Sequence, residues 1–130
     1  MAWAASWVAI VDDDPSVLKA LTRLLWTRGF HAKTFVSAQK FIAALPDDLP
    51  ECLIIDLQMP EMSGLELHQR LLLKGIEIPT IIITAHDRGD VRQRCEAAGI
   101  VAYLFKPLED TVLFAAIAKA QAKANLGQHA

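Results

Sequence analysis

The chain has 130 residues, 53% of them hydrophobic, with 13 basic against 15 acidic side chains and a formal net charge of −2. That length fits one ordinary domain with a sizeable core, and the near balance of charge excludes a global field for holding nucleic acid. Cys52 and Cys95 lack metal-ligand spacing and do not make a disulfide framework, so they read as buried, reduced thiols of a cytosolic protein.

The apolar start from Met1 to Val11 resembles a signal peptide but has no basic n-region and runs straight into three aspartates. No run approaches the roughly 18 apolar residues of a membrane span, and the expectation is a soluble, cytoplasmic domain. Trp7 to Val11 reads as a buried strand. Asp14 then suits a helix N-cap and Pro15 the first helical position. Val17, Leu18, Leu21, Leu24 and Leu25 keep helical spacing up to Gly29.

His31 to Phe35 forms a second strand, followed by a helix capped by Ser37 and carrying Phe41, Ile42 and Leu45. A turn over 46–50 precedes the third strand, Cys52 to Asp56, which is too apolar to be half-exposed. A loop with Pro60 and Gly64 leads to a helix from Leu65 to Leu73, and Pro79 to Thr84 is the fourth strand. A helix from about Asp90 to Ala98 stops at Gly99. Val101 to Phe105 is the fifth strand, and an Ala-rich helix runs from Asp110 to about Ala124. Residues 1–124 are thus expected to form the domain and 125–130 a frayed tail. Five strands alternating with five helices point to an α/β doubly wound (βα)5 sandwich around a parallel sheet.

In open α/β sheets the functional crevice lies outside the carboxyl ends of the strands. Those ends are Asp12, Asp13 and Asp14 after strand one, Asp56 at strand three, Thr84 at strand four and Lys106 after strand five. Crowded carboxylates need a compensating cation, and a small oxygen-only site that keeps several waters suits Mg²⁺ better than Ca²⁺. A carboxylate can attack phosphorus to give an acyl phosphate, while a lysine and a hydroxyl supply charge and a donor to phosphate oxygens. Taken singly, Asp14 is a helix cap, Thr84 a strand end and Lys106 a solvated lysine. Asp56 is harder to dismiss, because a carboxylate ending a central apolar strand is costly to bury alone.

This ordered set resembles the CheY-like receiver domains of bacterial response regulators, over about Val8 to Lys119. The matching pieces are Ile10 to Pro15, Ile54 to Pro60 with Gly64, Ile83-Thr84-Ala85, and Phe105-Lys106-Pro107. Asp14-Pro15-Ser16-Val17, Met62-Ser63-Gly64-Leu65-Glu66, and Thr84-Ala85-His86 with Asp90-Val91 look most like the FixJ-type subgroup. The resemblance implies the strand order 2-1-3-4-5 and a cis bond before Pro107. It implies that Asp56 is the phosphoacceptor, that Asp13, Asp56 and the Gln58 carbonyl bind Mg²⁺, and that Asp12 helps through water. Lys106 then pairs with the phosphoryl group, and the Ala85 N–H approaches its oxygens. Thr84 and the aromatic Tyr103 form the switch, while Gln58 and His86 flank the entry and tune dephosphorylation.

The implied donor is a phosphohistidine of a cognate sensor histidine kinase. The implied output is a transcription-controlling domain or partner, since no DNA-reading motif lies within these residues. Signal exit is implied through the face of helix four, strand five and helix five, with a homodimer possible there. Val91, Arg92, Cys95, Tyr103, Leu113, Ala116, Ile117 and Ala120 are its candidates, Leu113 and Ile117 being assigned to the core first. Trp26 at the end of the first helix is expected at a core edge, with partial exposure suiting kinase docking. The rivals are weaker. A flavodoxin-like carrier lacks its phosphate loop, a haloacid-type hydrolase lacks its Asp-x-Asp motif, and a phosphorylation-independent docking module need not keep every acidic residue and the lysine.

Overall fold

A computed structural model describes residues 7–45, 48–86 and 89–129, with side chains described as far as residue 124. The apolar start before Trp7 and the first two residues of the 46–50 turn lie outside the described residues. Within them the elements run β1 (Trp7–Val11), α1 (Pro15–Trp26), β2 (His31–Phe35), α2 (Ala38–Ala43), β3 (Cys52–Asp56), α3 (Gly64–Leu73), β4 (Thr80–Thr84), α4 (Gly89–Ala97), β5 (Ala102–Phe105) and α5 (Asp110–His129). All sheet pairings are parallel, in the expected order β2-β1-β3-β4-β5.

Every residue of β1, β3 and β4 is buried, which is why these strands read as continuous apolar runs rather than alternating ones. The pleat sends successive side chains to opposite faces. Ala9, Val11, Leu53, Ile55 and Ile82 pack with Phe41, Leu67, Leu71 and Cys95 of α2, α3 and α4. Val8, Ile10, Ile54, Ile81 and Ile83 pack with Leu18, Leu21, Leu25, Leu113 and Ile117 of α1 and α5. The sheet therefore has a core on each side, and β2, an edge strand with exposed His31, Lys33 and Thr34, closes one end.

The helices begin where the short polar side chains suggest. Asp14 caps α1 by accepting from the Ser16 N–H at 2.9 Å, and Ser37 caps α2 by accepting from Lys40 at 3.0 Å. At α3, Ser63 Oγ accepts from the Glu66 N–H at 3.1 Å while the Glu66 carboxylate accepts from the Ser63 N–H, a reciprocal capping box. Ser63→Ala is expected to destabilise the domain by about 1 kcal/mol, read as a lower urea midpoint at unchanged slope. The last helix does not end near Ala124 but continues through His129. Only Gly127 in that stretch is a poor helix former, and one glycine disfavours a helix by only about 1 kcal/mol.

Candidate functional site

Because the strands are parallel and in close register, their carboxyl ends fall on one edge. Val11 pairs with Ile55, Asp56 with Ile83, and Thr84 with Phe105, so Asp12, Asp56, Thr84 and Lys106 become neighbours by backbone geometry alone. Carboxylate oxygens of Asp12, Asp13 and Asp56 lie within 4.8 Å of one another. Asp12 and Asp56 are buried and Asp13 is exposed. An acidic pocket stands at the expected edge of the sheet.

Its charges are tied together by one cation. Lys106 Nζ donates to Asp12 Oδ2 at 2.9 Å and lies 3.5 Å from Asp56 Oδ2. Asp12 Oδ1 accepts from the Asp14 N–H at 2.9 Å, so each of its oxygens is bonded. Asp56 Oδ1 has only a long contact, 3.4 Å, from the Gln58 N–H. Burial first, and the Asp12 charge second, push the Asp56 carboxyl above its ordinary range against the opposing pull of Lys106. Burial by itself draws Lys106 down, but its hydrogen bond to Asp12 and the charges of Asp56 and Asp12 together hold the ammonium above its usual value. The pocket thus has an excess of negative charge, and its Asp56 carboxylate has only long contacts.

The remaining residues surround this centre. Thr84 is fully buried, and its hydroxyl both donates to the His86 carbonyl and accepts from the His86 N–H, each at 3.1 Å. Ala85 and His86 are exposed on the loop that follows, and Gln58 is exposed on the loop after β3. Gln58 also lines a cleft of about 520 Å³ with Met59, Glu66, Val91 and Arg94. Asp14 is an exposed cap, directed at its own helix. The Lys106–Pro107 bond is cis, as expected.

Tyr103 lies inward, 8% exposed, its ring edge-on to Phe105 at 5.6 Å with the Arg92 guanidinium 6.0 Å from the ring centre. The proposed output face needs correction in its membership. Leu113 and Ile117 lie in the core, as first assigned, but Cys95, Ala116 and Ala120 are buried as well and serve the two cores rather than the surface. Arg92, Phe105 and Val112 are among the exposed residues of those elements. Trp26 also departs from expectation: it is 69% exposed, edge-on to His31 at 6.1 Å. It sits where α1 turns into the start of β2, at the end of the sheet opposite the acidic pocket. Cys52 and Cys95 are free and buried, as expected, and burial raises both thiols.

Two further contacts flank the sheet, one at the pocket and one at its opposite end. Gly64 packs so closely beneath the carboxyl end of β3 that a Cβ there would stand 2.7 Å from the Asp56 carbonyl oxygen. His68, on the buried face of α3, bonds the Thr80 hydroxyl and the Ala98 carbonyl. Its signal was its position between Gly64 and Leu71 on the apolar stripe, a place where a histidine must find partners.

Known proteins share this arrangement. The response regulator receiver domain family matches residues 8–118. The transcriptional regulatory protein FixJ of Rhizobium meliloti is 46% identical over 87% of this chain and 55% of its own length. The response regulator protein TmoT of Ectopseudomonas mendocina is 40% identical over 86% of this chain and 51% of its own length. The chain therefore spans about half the length of these curated relatives. The crystal structure of FixJ-N superimposes with a TM-score of 0.83 at 40% identity, covering 94% of this chain and 96% of that one. Among the described residues no helix is long and apolar enough to cross a membrane. With fold, pocket and sequence in agreement, the chain belongs to the response regulator receiver domain family.

Proposed function

We propose that Asp56 is the phosphoacceptor of this receiver domain and takes its phosphoryl group from a phosphohistidine on a sensor histidine kinase. One observation carries the reading: Asp56, a buried carboxylate with only long contacts to its two oxygens, shares its pocket with two further aspartates and a lysine ammonium. An Asp56 oxygen forms the O–P bond as the donor's P–N bond breaks. The bonding pair stays on the leaving imidazole nitrogen, which a proton then neutralises. Most of the catalysis is positioning plus charge stabilisation. Lys106 swings from Asp12 toward a phosphoryl oxygen, and the Thr84 hydroxyl exchanges its bonds to His86 for another. The Ala85 N–H, exposed beside Thr84, adds a donor.

The donor set fits a hard divalent ion, since three carboxylates crowd within reach of one another, and burial and then the Asp12 charge disfavour the charged form of Asp56. Asp13, Asp56 and the Gln58 carbonyl would hold Mg²⁺ directly, with Asp12 assisting through water. Such an ion neutralises charge on the phosphoryl oxygens and polarises phosphorus. Gln58 and His86, both exposed at the mouth, set how readily water reaches the acyl phosphate, and Tyr103 follows Thr84 as the switch aromatic. The domain works in the cytoplasm beside its kinase and acts through an output domain or protein target, consistent with the names of its relatives. Phosphorylation favours a homodimer through the α4-β5-α5 face, with Arg92, Phe105 and Val112 at the contact. A docking module without phosphorylation is disfavoured because the whole acid–lysine set is in place.

Incubation with acetyl phosphate and Mg²⁺ should add one phosphoryl mass to the intact protein, dependent on the ion and absent in Asp56→Asn. Since the charged form of Asp56 is disfavoured by folding, that variant should also be more stable than the parent at neutral pH. An adduct that persists in Asp56→Asn would remove Asp56 from its role.

A further inference from the structure

The β2 end of the sheet combines an open backbone edge with side chains of a single charge. β2 pairs with β1 and with no other strand. The Phe35 carbonyl accepts from the Asp12 N–H at 3.1 Å, which turns the Phe35 backbone inward, toward the continuation of β1. Backbone groups alternate sides along a strand, so those of Lys33 and His31 also face β1, while those of Ala32 and Thr34 face outward. Among the described residues nothing bonds these outward groups.

The surroundings of that edge are cationic. From 15 to 46 the sequence has Lys19, Arg23, Arg28, Lys33 and Lys40 and not one acidic residue, in a chain whose formal net charge is −2. All of these cations are exposed, and among the described residues none has an ion-pair partner. Arg28 and Lys33 lie over the rings of Phe114 and Trp7 instead, at 4.1 and 4.5 Å. Lys19, Arg23 and Trp26 follow helical spacing along one outward face of α1. Trp26 is 69% exposed and stands edge-on to His31, where β2 begins. α1 packs on one side of this edge with Ala32, and α2 on the other with Phe35.

We propose that the β2 edge takes an extended, acidic segment of a partner protein as an added strand. Main-chain bonds to Ala32 and Thr34 supply the attachment, and alternate side chains select the partner. Acidic side chains on the α2 side of the segment lie beside Lys33, and opposite charges in neighbouring strand positions attract. On the α1 side, Trp26 offers an apolar contact. A second copy of β2 is excluded by its own charge, because edge-to-edge pairing sets these cations against their like. Nucleic acid or anionic lipid matches the charge but has no strand backbone to offer Ala32 and Thr34. The proposal is independent of the phosphoryl-pocket reading.

The test is amide NMR of the whole chain titrated with an alternating Glu-Val octapeptide blocked at both ends. Saturable binding should move the Ala32 and Thr34 amide protons downfield as they gain carbonyl partners. The same peptide N-methylated throughout keeps the charge but loses every donor, and it should leave those two protons in place, as should a Lys-Val octapeptide. Lys33→Glu should weaken Glu-Val binding roughly tenfold by turning an attraction into a repulsion. Thr34→Pro removes an outward N–H that the ladder to β1 does not use and should weaken it at least as much. Equal shifts with the N-methylated peptide would reveal a charged surface without strand addition and overturn the proposal. The absence of a saturable shift at Ala32 and Thr34, or unweakened binding by Lys33→Glu, would overturn it too. Tighter binding at this edge by a duplex oligonucleotide or by phosphatidylglycerol vesicles would assign it to a phosphate-bearing partner instead.

Discussion

Lys106→Met is expected to lower stability by about 2 kcal/mol and the thermal midpoint by roughly 6–10 °C when divalent ions are chelated. The reason is the geometry of its two partners. Asp12 is fully buried and Asp56 nearly so, and the Lys106 ammonium lies 2.9 and 3.5 Å from their carboxylates. Truncation leaves like charges facing each other inside the protein with no counter-ion. The Lys106 side chain retains 23% exposure, which places the effect below that of a fully enclosed pair.

The pH dependence has a defined sign. Asp56 binds its proton more tightly in the folded chain than in the unfolded one, so the folded state gains stability as pH falls through the carboxylate range. Removing Lys106 strengthens that tendency, and the deficit should narrow toward acid pH. Mg²⁺ should also recover part of it, while phosphoryl uptake from acetyl phosphate falls on the order of 10²-fold. Differential scanning with EDTA or Mg²⁺ at two pH values measures the first two effects, and an intact-mass time course with acetyl phosphate and Mg²⁺ measures the third. An unchanged midpoint in EDTA would show that the lysine does not compensate the acids.

The second large effect is steric. At Gly64 an added Cβ would meet the Asp56 carbonyl oxygen at 2.7 Å and Ile82 Cδ1 at 2.9 Å. The isoleucine can turn aside, but the carbonyl belongs to β3 and yields only if the strand end moves. The Gly64 N–H also donates to the Leu57 carbonyl at 3.1 Å, so the helix cannot simply back away. Gly64→Ala should therefore destabilise by about 2–3 kcal/mol and slow phosphoryl uptake roughly 10- to 100-fold through displacement of the nucleophile. Gly89→Ala is the control: nothing lies within 4 Å of its added Cβ, and it should leave both stability and uptake nearly unchanged. Equal behaviour of the two variants in urea melts and acetyl phosphate assays would remove the steric argument.

What the sequence disclosed about the site follows from where it lies. Cys52 to Ile55 and Ile81 to Ile83 are apolar runs that stop at Asp56 and Thr84, so the chemistry is announced by a break in hydrophobicity at a strand end. Parallel pairing then does the assembly, and no long-range knowledge is needed to bring Asp12 to Asp56. The output face was less legible. Ala116 and Ala120 follow one helical stripe whether that stripe meets the sheet or a partner, and only the tertiary structure shows it meeting the sheet. Trp26 was misjudged for the opposite reason: a large aromatic is usually covered, yet α1 ends before the core can reach it. His68 could be suspected from its register on α3, but its partners, Thr80 and Ala98, come from two other stretches of chain.

The length of α5 bears on how motion could leave the domain. The helix starts beside the acidic edge, and by Gln121 and Lys123 it has reached Glu51 and Gly99, which precede β3 and β5 at the far end. Its 20 residues extend about 30 Å, against roughly 16 Å for a five-residue strand. The final turns therefore run beyond the length of the strands, like one arm of a lever pivoted on Leu113 and Ile117. A tilt of only about 5° at Ile117, too small to unpack either core, would carry His129 sideways by roughly 1.5 Å over the intervening helix. A small rearrangement at one end of the domain thereby becomes a larger displacement at the other, with the stiffness of a hydrogen-bonded helix as the only transmission.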